Sequence, residues 1–269
     1  MDAIVNYVPL INNLVNPTYK GFTAKPGETP AHLAKRPLLN KINGKKILYV
    51  TIGASTPGQI STSLVTLTSA FNNVKVVNGC TGSMDINDWL DINSTAWSNL
   101  EDAVLRAGYE MNEVQGVIMC HDDLKDTSVL FPSAPQAMAS KLESLIVMMK
   151  GIFPALKVCE LFSRLYGGFI TDPKFAIPSC YHTTWANKLV TEKAISTNSL
   201  IAGVWVSDGV GDLWTVGETT RSDGFYMKKV EMKQRGTSVH IDTRTGLDER
   251  CANKILTGLK RYSDFKWNI

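Results

Sequence analysis

The sequence lacks the cysteine patterns of a disulfide-stabilised or zinc-binding protein. Its five cysteines are an odd number, are widely spaced and contain no CxxC pair, so neither a disulfide framework nor a zinc site is indicated. Cys120 and Cys159 lie inside apolar runs, where we expect them to be buried as small apolar side chains. We therefore expect no metal and no cofactor.

Long runs of one charge and long apolar runs are also missing. The 28 basic and 25 acidic side chains are spread along the chain with a formal net charge of +3, which gives no support to nucleic-acid binding. No apolar run reaches the length of about 20 residues that a membrane span needs. Asn6, Pro9, Asn12 and Asn13 interrupt the apolar N-terminal segment, so we expect no export signal, no membrane partner, and a cytoplasmic or virion-associated protein rather than an exported one.

The length and the apolar content are those of one large domain. A chain of 269 residues with 44% hydrophobic residues can bury a sizeable core. Residues 1–44 are rich in Pro, Asn and Gly, which predicts an irregular N-terminal arm packed on the domain. Residues 45–269 then form the domain itself.

Apolar and β-branched runs alternate with segments of helical spacing. Buried strands are predicted at Lys46 to Ile52, Val74 to Asn78, Gln115 to Cys120, Leu156 to Phe162 and Ile201 to Val206. Helices are predicted at Gln59 to Phe71, Trp97 to Ala107, Ala134 to Ile152, Tyr181 to Thr197 and Leu247 to Tyr262. This alternation predicts an α/β fold, a three-layer α/β/α sandwich around a mainly parallel, five-stranded, flavodoxin-like sheet. Functional residues are expected where the strands end.

Two of these strand ends carry polar or glycine-rich turns. The first strand ends in Ile52-Gly53-Ala54-Ser55-Thr56, a tight turn that would lift the Ser55 hydroxyl to the edge of the sheet before a helix. Ser55 could instead cap that helix. The second strand runs into Asn78-Gly79-Cys80-Thr81-Gly82-Ser83, where Gly82 could be a turn glycine or could offer its amide to an oxyanion.

Together with later elements, these turns resemble the SGNH (GDSL-like) hydrolases. The later elements are Phe162-Ser-Arg-Leu-Tyr-Gly-Gly168, a helix with Trp185 and Lys188, Arg221-Ser-Asp-Gly224 and His240 followed by Gly246; an N-P-x-Y-x-G element stands at Asn16 to Gly21. They occur in the family's order and span nearly the whole chain. The resemblance implies that Ser55 is a nucleophile, that His240 is its base, and that the Ser55 and Gly82 amides hold an oxyanion. It implies a short acyl ester as substrate, such as an O-acetyl group on a carbohydrate.

The sequence departs from the family pattern at three positions. Ala54 replaces the aspartate of G-D-S, and Thr237 stands where an aspartate would orient the histidine. Candidate substitutes for that orienting group are Thr237 itself, Asp242, Asp223 and Asp208, although each aspartate could be an ordinary loop residue. In Cys120-His121-Asp122-Asp123, Asp122 occupies the position of the oxyanion-binding asparagine. An ionised Asp122 would repel an oxyanion, so it could serve only if protonated, or His121 could donate instead.

Several side chains near these turns have two interpretations. The His121-Asp122-Asp123 string could bind a divalent cation or could be a solvated loop. Trp89, Trp97 and Trp214 could line a carbohydrate groove or could belong to the core.

Two functions follow from this pattern. One is a serine ester hydrolase, and the other is a catalytically impaired protein of the same fold with a binding or structural role, such as a virion or surface-assembly component. A homo-oligomer or an assembly partner is compatible with either. The distance from Ser55 Oγ to His240 Nε2 discriminates between them.

Overall fold

The apolar runs form a central sheet, and the segments of helical spacing form helices on both of its faces. The computed structural model describes residues 29–125, 132–166, 168–169, 177–215, 217–233 and 240–265, without the side chains of residues 177–179 and 181. Within these ranges the elements are α1 (Pro30–Ala34), β1 (Ile47–Gly53), α2 (Ser55–Thr68), β2 (Val74–Asn78), α3 (Ile86–Trp89), α4 (Thr95–Arg106), β3 (Val114–Cys120), α5 (Ser133–Ile152), β4 (Val158–Phe162), α6 (Ile177–Ser196), β5 (Leu200–Ile201), β6 (Val204–Gly211) and α7 (Leu247–Leu259).

The strands are arranged in the order β2-β1-β3-β4-β6-β5. The first five are parallel, and β5 pairs antiparallel with β6. β1 and β3 are buried along their whole length, as expected for parallel strands covered on both faces. The predicted α/β/α sandwich is confirmed. The chain reverses its direction of strand addition between β1 and β3, and α/β proteins of this order bind their ligands at this switch point.

Among the residues that the structure describes, the sheet has six strands rather than the predicted five. The apolar run Ile201 to Val206 was expected to be one strand, but Ala202 and Gly203 form a turn in the middle of it, with φ of 49° and 78°. Left-handed backbone at two consecutive residues is typical of a two-residue hairpin turn. Leu200 consequently pairs with Trp205 across this hairpin. Because neither turn residue is polar, the reversal of the chain could not be recognised from the sequence.

The helices form two layers with separate apolar cores. α3, α4, α5 and α6 cover one face of the sheet, where Trp89, Leu100 and Leu145 are among the buried side chains. α2 and α7 cover the other face through residues such as Leu64 and Ile255. In the described part of the chain, no helix combines the length and the apolar character needed to cross a membrane.

The described part of the predicted arm is tied to the domain by a buried charged cluster. Arg36 Nη1 lies 2.7 Å from Asp264 Oδ2, and Arg36 Nε lies 3.5 Å from Glu160 Oε1. The guanidinium also stacks on the Tyr262 ring, 4.0 Å from its centroid. These contacts join residues before β1 to residues after α7. The element at 16–21 falls outside the described residues.

The cysteines are free thiols. Cys120 and Cys159 are buried in the two cores, so their prediction as small apolar core residues is confirmed. Burial raises the pKa of the Cys120 thiol to about 12. Such a thiol stays protonated and unreactive at neutral pH.

Candidate functional site

The turn from β1 into α2 depends on Gly53. Its φ is 152°, and a Cβ at this position would lie 2.5 Å from the Cys120 carbonyl oxygen and 2.9 Å from Pro57 Cβ. Only glycine fits this conformation and this close approach of two backbones. The constraint places Ser55, the first residue of α2, at the carboxyl edge of the sheet beside the switch point.

The Ser55 side chain contacts a histidine from the other end of the sequence. The N-cap of α2 is Ala54, and no side chain caps this helix, so the interpretation of Ser55 as a cap is wrong. Instead, Ser55 Oγ and His240 Nε2 lie 2.9 Å apart although 185 positions separate the two residues. This distance lies within the hydrogen-bond reach of a nucleophile and its base.

The backbone next to His240 is held by α2 itself. Gln59 Nε2 donates to the Ile241 carbonyl at 2.9 Å, and the Ile241 amide donates to Gln59 Oε1 at 3.0 Å. The His240 carbonyl accepts from the Lys233 amide at 2.8 Å. Since Gln59 lies one helical turn after Ser55, a single helix positions both members of the pair.

The surroundings of His240 favour its neutral form. Burial lowers the pKa of the imidazole below its usual value of 6.5, and the positive charges of Lys233 and Arg164 lower it further. A neutral imidazole is present at pH 7 and can accept the hydroxyl proton. Within the described ranges, no carboxylate forms a hydrogen bond or an ion pair with His240.

The candidate orienting groups lie elsewhere. Asp223 pairs with Arg221 at 2.7 Å and with Lys254 at 2.6 Å, and Asp242 pairs with the exposed Arg244. These ion pairs occupy both carboxylates, so neither aspartate orients the imidazole. Asp208 lies within β6, and Thr237 falls outside the described residues.

The loop after β2 is hydrogen-bonded to the turn between β1 and α2, and it carries Gly82, the second predicted oxyanion donor. The Thr81 amide donates to the Gly53 carbonyl at 3.0 Å. A Cβ on the next residue, Gly82, would meet nothing within 4 Å, so no packing there requires glycine. The Ser55 and Gly82 amides donate to no residue that the structure describes. Among the described residues, both amides therefore remain candidate donors to a ligand.

Asp122 forms an ion pair with Arg164, which was expected only as part of the Phe162 to Gly168 element. The two side chains are 2% and 7% exposed. The Asp122 carbonyl accepts from the Ile86 amide at 3.0 Å, which fixes the loop after β3. The carboxylate thus has a cationic partner, which the sequence analysis did not foresee. The available signal was an arginine two residues after the end of a strand.

His121 does not replace the missing oxyanion donor. Its ring is buried and packs edge-on against Trp89, with centroids 5.7 Å apart. Neither ring nitrogen has a hydrogen-bond partner among the described residues, and burial lowers the pKa of the imidazole to about 3. This histidine is a neutral core residue.

His121 and Asp122 are buried, so the interpretation of the string after β3 as a solvated loop is wrong. Asp123 forms an ion pair with Lys141, and no group of three or more His, Cys, Asp or Glu side chains gathers within the described residues.

Trp89, Trp97 and Trp214 are buried, and Trp97 Nε1 donates to the Trp89 carbonyl at 3.1 Å. Trp89 and Trp214 therefore belong to the core, and the interpretation of these two as groove walls is wrong, whereas the largely buried Trp97 also lines a cavity of about 450 Å³.

The fold and the site together define a flavodoxin-like α/β/α protein with a serine–histidine pair at the switch point of its sheet. No model of a protein family matches the chain, and no curated protein matches it. Similar solved structures include a Slackia heliotrinireducens protein assigned to the SGNH hydrolases, with 13% identity, TM-score 0.41 and coverage of 78% of this chain and 98% of that one.

Two Bacteroides proteins are also similar. A Bacteroides fragilis protein assigned as an acylhydrolase has 11% identity, TM-score 0.43 and coverage of 86% and 94% of the two chains. A DUF4886 family protein from Bacteroides uniformis has 10% identity, TM-score 0.43 and coverage of 82% and 85%. Similarity at this level carries no argument about activity.

Proposed function

We propose that this protein is an ester hydrolase of the SGNH type, with Ser55 as nucleophile and His240 as general base. The observation that carries the proposal is the 2.9 Å contact between Ser55 Oγ and His240 Nε2 at the carboxyl edge of the sheet. A serine hydroxyl is a weak nucleophile until a neighbouring base accepts its proton. The lowered pKa of His240 supports this role, because it keeps the imidazole unprotonated at neutral pH.

The proposed reaction has two steps. Ser55 Oγ bonds to the acyl carbon while its proton passes to His240 Nε2, and the carbonyl electrons move onto the oxygen to form an oxyanion. When the oxyanion collapses, the bond to the alcohol oxygen breaks and His240 returns the proton to the leaving alcohol. Water then releases the acyl group from Ser55 by the same route. The Ser55 and Gly82 amides would donate hydrogen bonds to the oxyanion.

The substrate that we propose is a short acyl ester, such as an acetyl group on a carbohydrate hydroxyl. Its support is the resemblance of the Gly53-Ala54-Ser55 turn and the His240 region to the SGNH hydrolases. Slow turnover is expected, because loss of the orienting aspartate in a serine–histidine–aspartate triad reduces kcat by about 10⁴-fold.

A second candidate function is a catalytically impaired protein with a binding or structural role. The observation that favours it is the setting of His240, which has two cationic influences and no carboxylate partner within the described residues. An imidazolium formed there would receive no compensating charge. The two functions differ in whether Ser55 can be acylated at all.

The test is hydrolysis of p-nitrophenyl acetate together with labelling by a fluorophosphonate probe. Ser55→Ala should reduce hydrolysis to the uncatalysed rate and abolish labelling. Ser98→Ala is the matched control, because Ser98 is an exposed serine whose hydroxyl contacts only its own helix, α4. It should retain the wild-type rate and labelling. Equal rates in wild type and Ser55→Ala, with no labelling of either, would favour the binding protein.

A further inference from the structure

We infer that Arg164, held in place by Asp122, is the side chain that binds the oxyanion in the proposed reaction. This inference rests on the proposed ester hydrolysis. It assigns to Arg164 the part that an asparagine at position 122 would play in a typical SGNH site. Asp122 then acts as the positioning residue for the guanidinium rather than as a defective oxyanion donor.

The strand register places the three side chains side by side along the carboxyl edge. Gly53 of β1 pairs with Cys120 of β3, and Met119 of β3 pairs with Leu161 of β4. Ser55 follows Gly53 by two residues, Asp122 follows Cys120 by two, and Arg164 follows Leu161 by three. Neighbouring strands are about 4.8 Å apart. The nucleophile, the carboxylate and the guanidinium therefore come from adjacent positions around the switch point.

The ion pair removes the electrostatic objection to Asp122. A lone ionised carboxylate at this place would repel the oxyanion. Asp122 instead contacts Arg164 with both side chains almost completely buried, so the pair has no net charge. An arginine carries five N–H donors, and within the described ranges the Arg164 contacts with Asp122 and with the Cys180 thiol use only part of that set.

Arg164 also acts on the proposed base. Its charge contributes to the lowered pKa of His240, and it favours ionisation of the Cys120 thiol at the end of β3, although burial raises that thiol's pKa by more. The charge of Arg164 thus influences both His240 and Cys120. This is consistent with a guanidinium that lies between the serine–histidine pair and the end of β3. Guanidinium N–H donors fixed at this place would be most useful when negative charge develops on the substrate oxygen.

The experiment measures kcat and KM for p-nitrophenyl acetate in Arg164→Lys and Arg164→Gln. Removal of one oxyanion donor typically lowers kcat by about 10²- to 10³-fold, so we expect that loss in Arg164→Gln, with KM within a few-fold of wild type. Arg164→Lys should be intermediate, because it keeps the charge and loses the planar fork. The matched control is Arg36→Lys, since Arg36 belongs to a similarly buried ion pair with Asp264 and contacts neither Ser55 nor His240 among the described residues. Its kcat should be unchanged.

A double variant keeps the test valid if removal of one charge prevents folding. Asp122→Leu/Arg164→Met replaces the ion pair by apolar side chains of similar size, a change that proteins often tolerate. Circular dichroism should show a folded protein, and kcat should still fall by about 10²- to 10³-fold. A folded double variant with the wild-type kcat would overturn the inference.

Asp122→Asn separates the two residues. This change supplies the amide of the family pattern but removes the charge that holds Arg164. We expect a lower kcat than wild type. A higher kcat would assign the oxyanion contact to position 122 and contradict a role for Arg164. If wild type and Ser55→Ala hydrolyse the ester equally, the proposed function itself fails; if only the Arg164 variants match wild type, this inference alone fails.

Discussion

The two halves of the site are held in place by different physical means. The Ser55 half is fixed by sterics, because Gly53 brings β1 into contact with the Cys120 carbonyl at a distance that excludes any Cβ. The His240 half is fixed by hydrogen bonds from Gln59 to the backbone of Ile241. A Cβ added at a close backbone contact disrupts the packing of the whole turn. Removal of one hydrogen bond, by contrast, costs only a limited free energy and leaves the other bonds in place. We therefore expect substitutions in the first half to affect folding and substitutions in the second half to affect catalysis.

The two halves also differ in their electrostatic support. Ser55 stands at the N-terminus of a 14-residue helix, whose dipole favours negative charge on or near the hydroxyl. His240 has cationic influences from Lys233 and Arg164, which oppose the positive charge that the base must accept. The nucleophile is thus the better supported partner, and the basicity of the histidine limits the proposed reaction.

The largest effect is expected from Gly53→Ala. The added methyl group would meet the Cys120 carbonyl and Pro57, and φ of 152° is a conformation that alanine rarely adopts. Strain of this kind and overpacking each cost about 1–3 kcal/mol. We expect the free energy of unfolding, measured by urea denaturation, to fall by roughly 2–6 kcal/mol.

Gly82→Ala is the control for that comparison. A Cβ at Gly82 meets nothing within 4 Å, and the residue is not in the left-handed region. A substitution without packing or strain changes stability by about 0.5 kcal/mol or less. Equal losses of stability in the two variants would show that the steric account of the Ser55 turn is wrong.

An intermediate effect is expected from Gln59→Leu. The variant loses two hydrogen bonds, each worth about 0.5–1.5 kcal/mol, so the free energy of unfolding should fall by about 1–3 kcal/mol. Without the two hydrogen bonds from Gln59 to Ile241, His240 can move away from Ser55. A displacement of about 1 Å can lower the rate by about 100-fold. We expect kcat for p-nitrophenyl acetate to fall by about ten- to a hundred-fold.

The control for Gln59→Leu is Gln136→Leu, because Gln136 lies on the exposed face of α5. This control should keep the wild-type kcat. If Gln59→Leu lowers stability but leaves kcat unchanged at a temperature where it is folded, then Gln59 stabilises the fold without positioning His240.

The sequence predicted the architecture because the architecture depends on local patterns. Four of the five apolar runs became single strands with nearly the predicted limits, since continuous β-branched runs between helical segments are specific for a parallel sheet. The fifth was divided, because Ala202 and Gly203 reverse the chain without a polar turn signal. Ser55 was selected for a related local reason, its place directly after a strand and before a helix.

The contacts that hold the site could not be predicted, because they join distant parts of the chain. Nothing local in the sequence indicates that Gln59 forms hydrogen bonds with the backbone of Ile241. Nor does it indicate that arginine side chains pair with the carboxylates of Asp223 and Asp242. Arg164 was visible as part of a motif, but its partner Asp122 lies on another strand end. Such pairs depend on the register between strands. That register becomes known only when the folded structure is known.

The smallest effect concerns the electrostatic half of the comparison. Catalysis needs the neutral imidazole, so kcat/KM should fall as the pH drops through the pKa of His240, and that inflection should lie below 6.5 because burial, Lys233 and Arg164 all lower the pKa. Lys233→Gln removes one of these causes and should move the inflection upward in a pH–rate profile.

Since Lys233 is exposed, its influence is screened by salt, with a Debye length of about 8 Å at physiological ionic strength and about 3 Å at 1 M. The difference between wild type and Lys233→Gln should therefore vanish in 1 M salt, while Lys260→Gln, at the far end of α7, should match wild type throughout. An inflection at or above 6.5 in wild type would mean that an acidic group outside the described residues compensates the positive charges around His240.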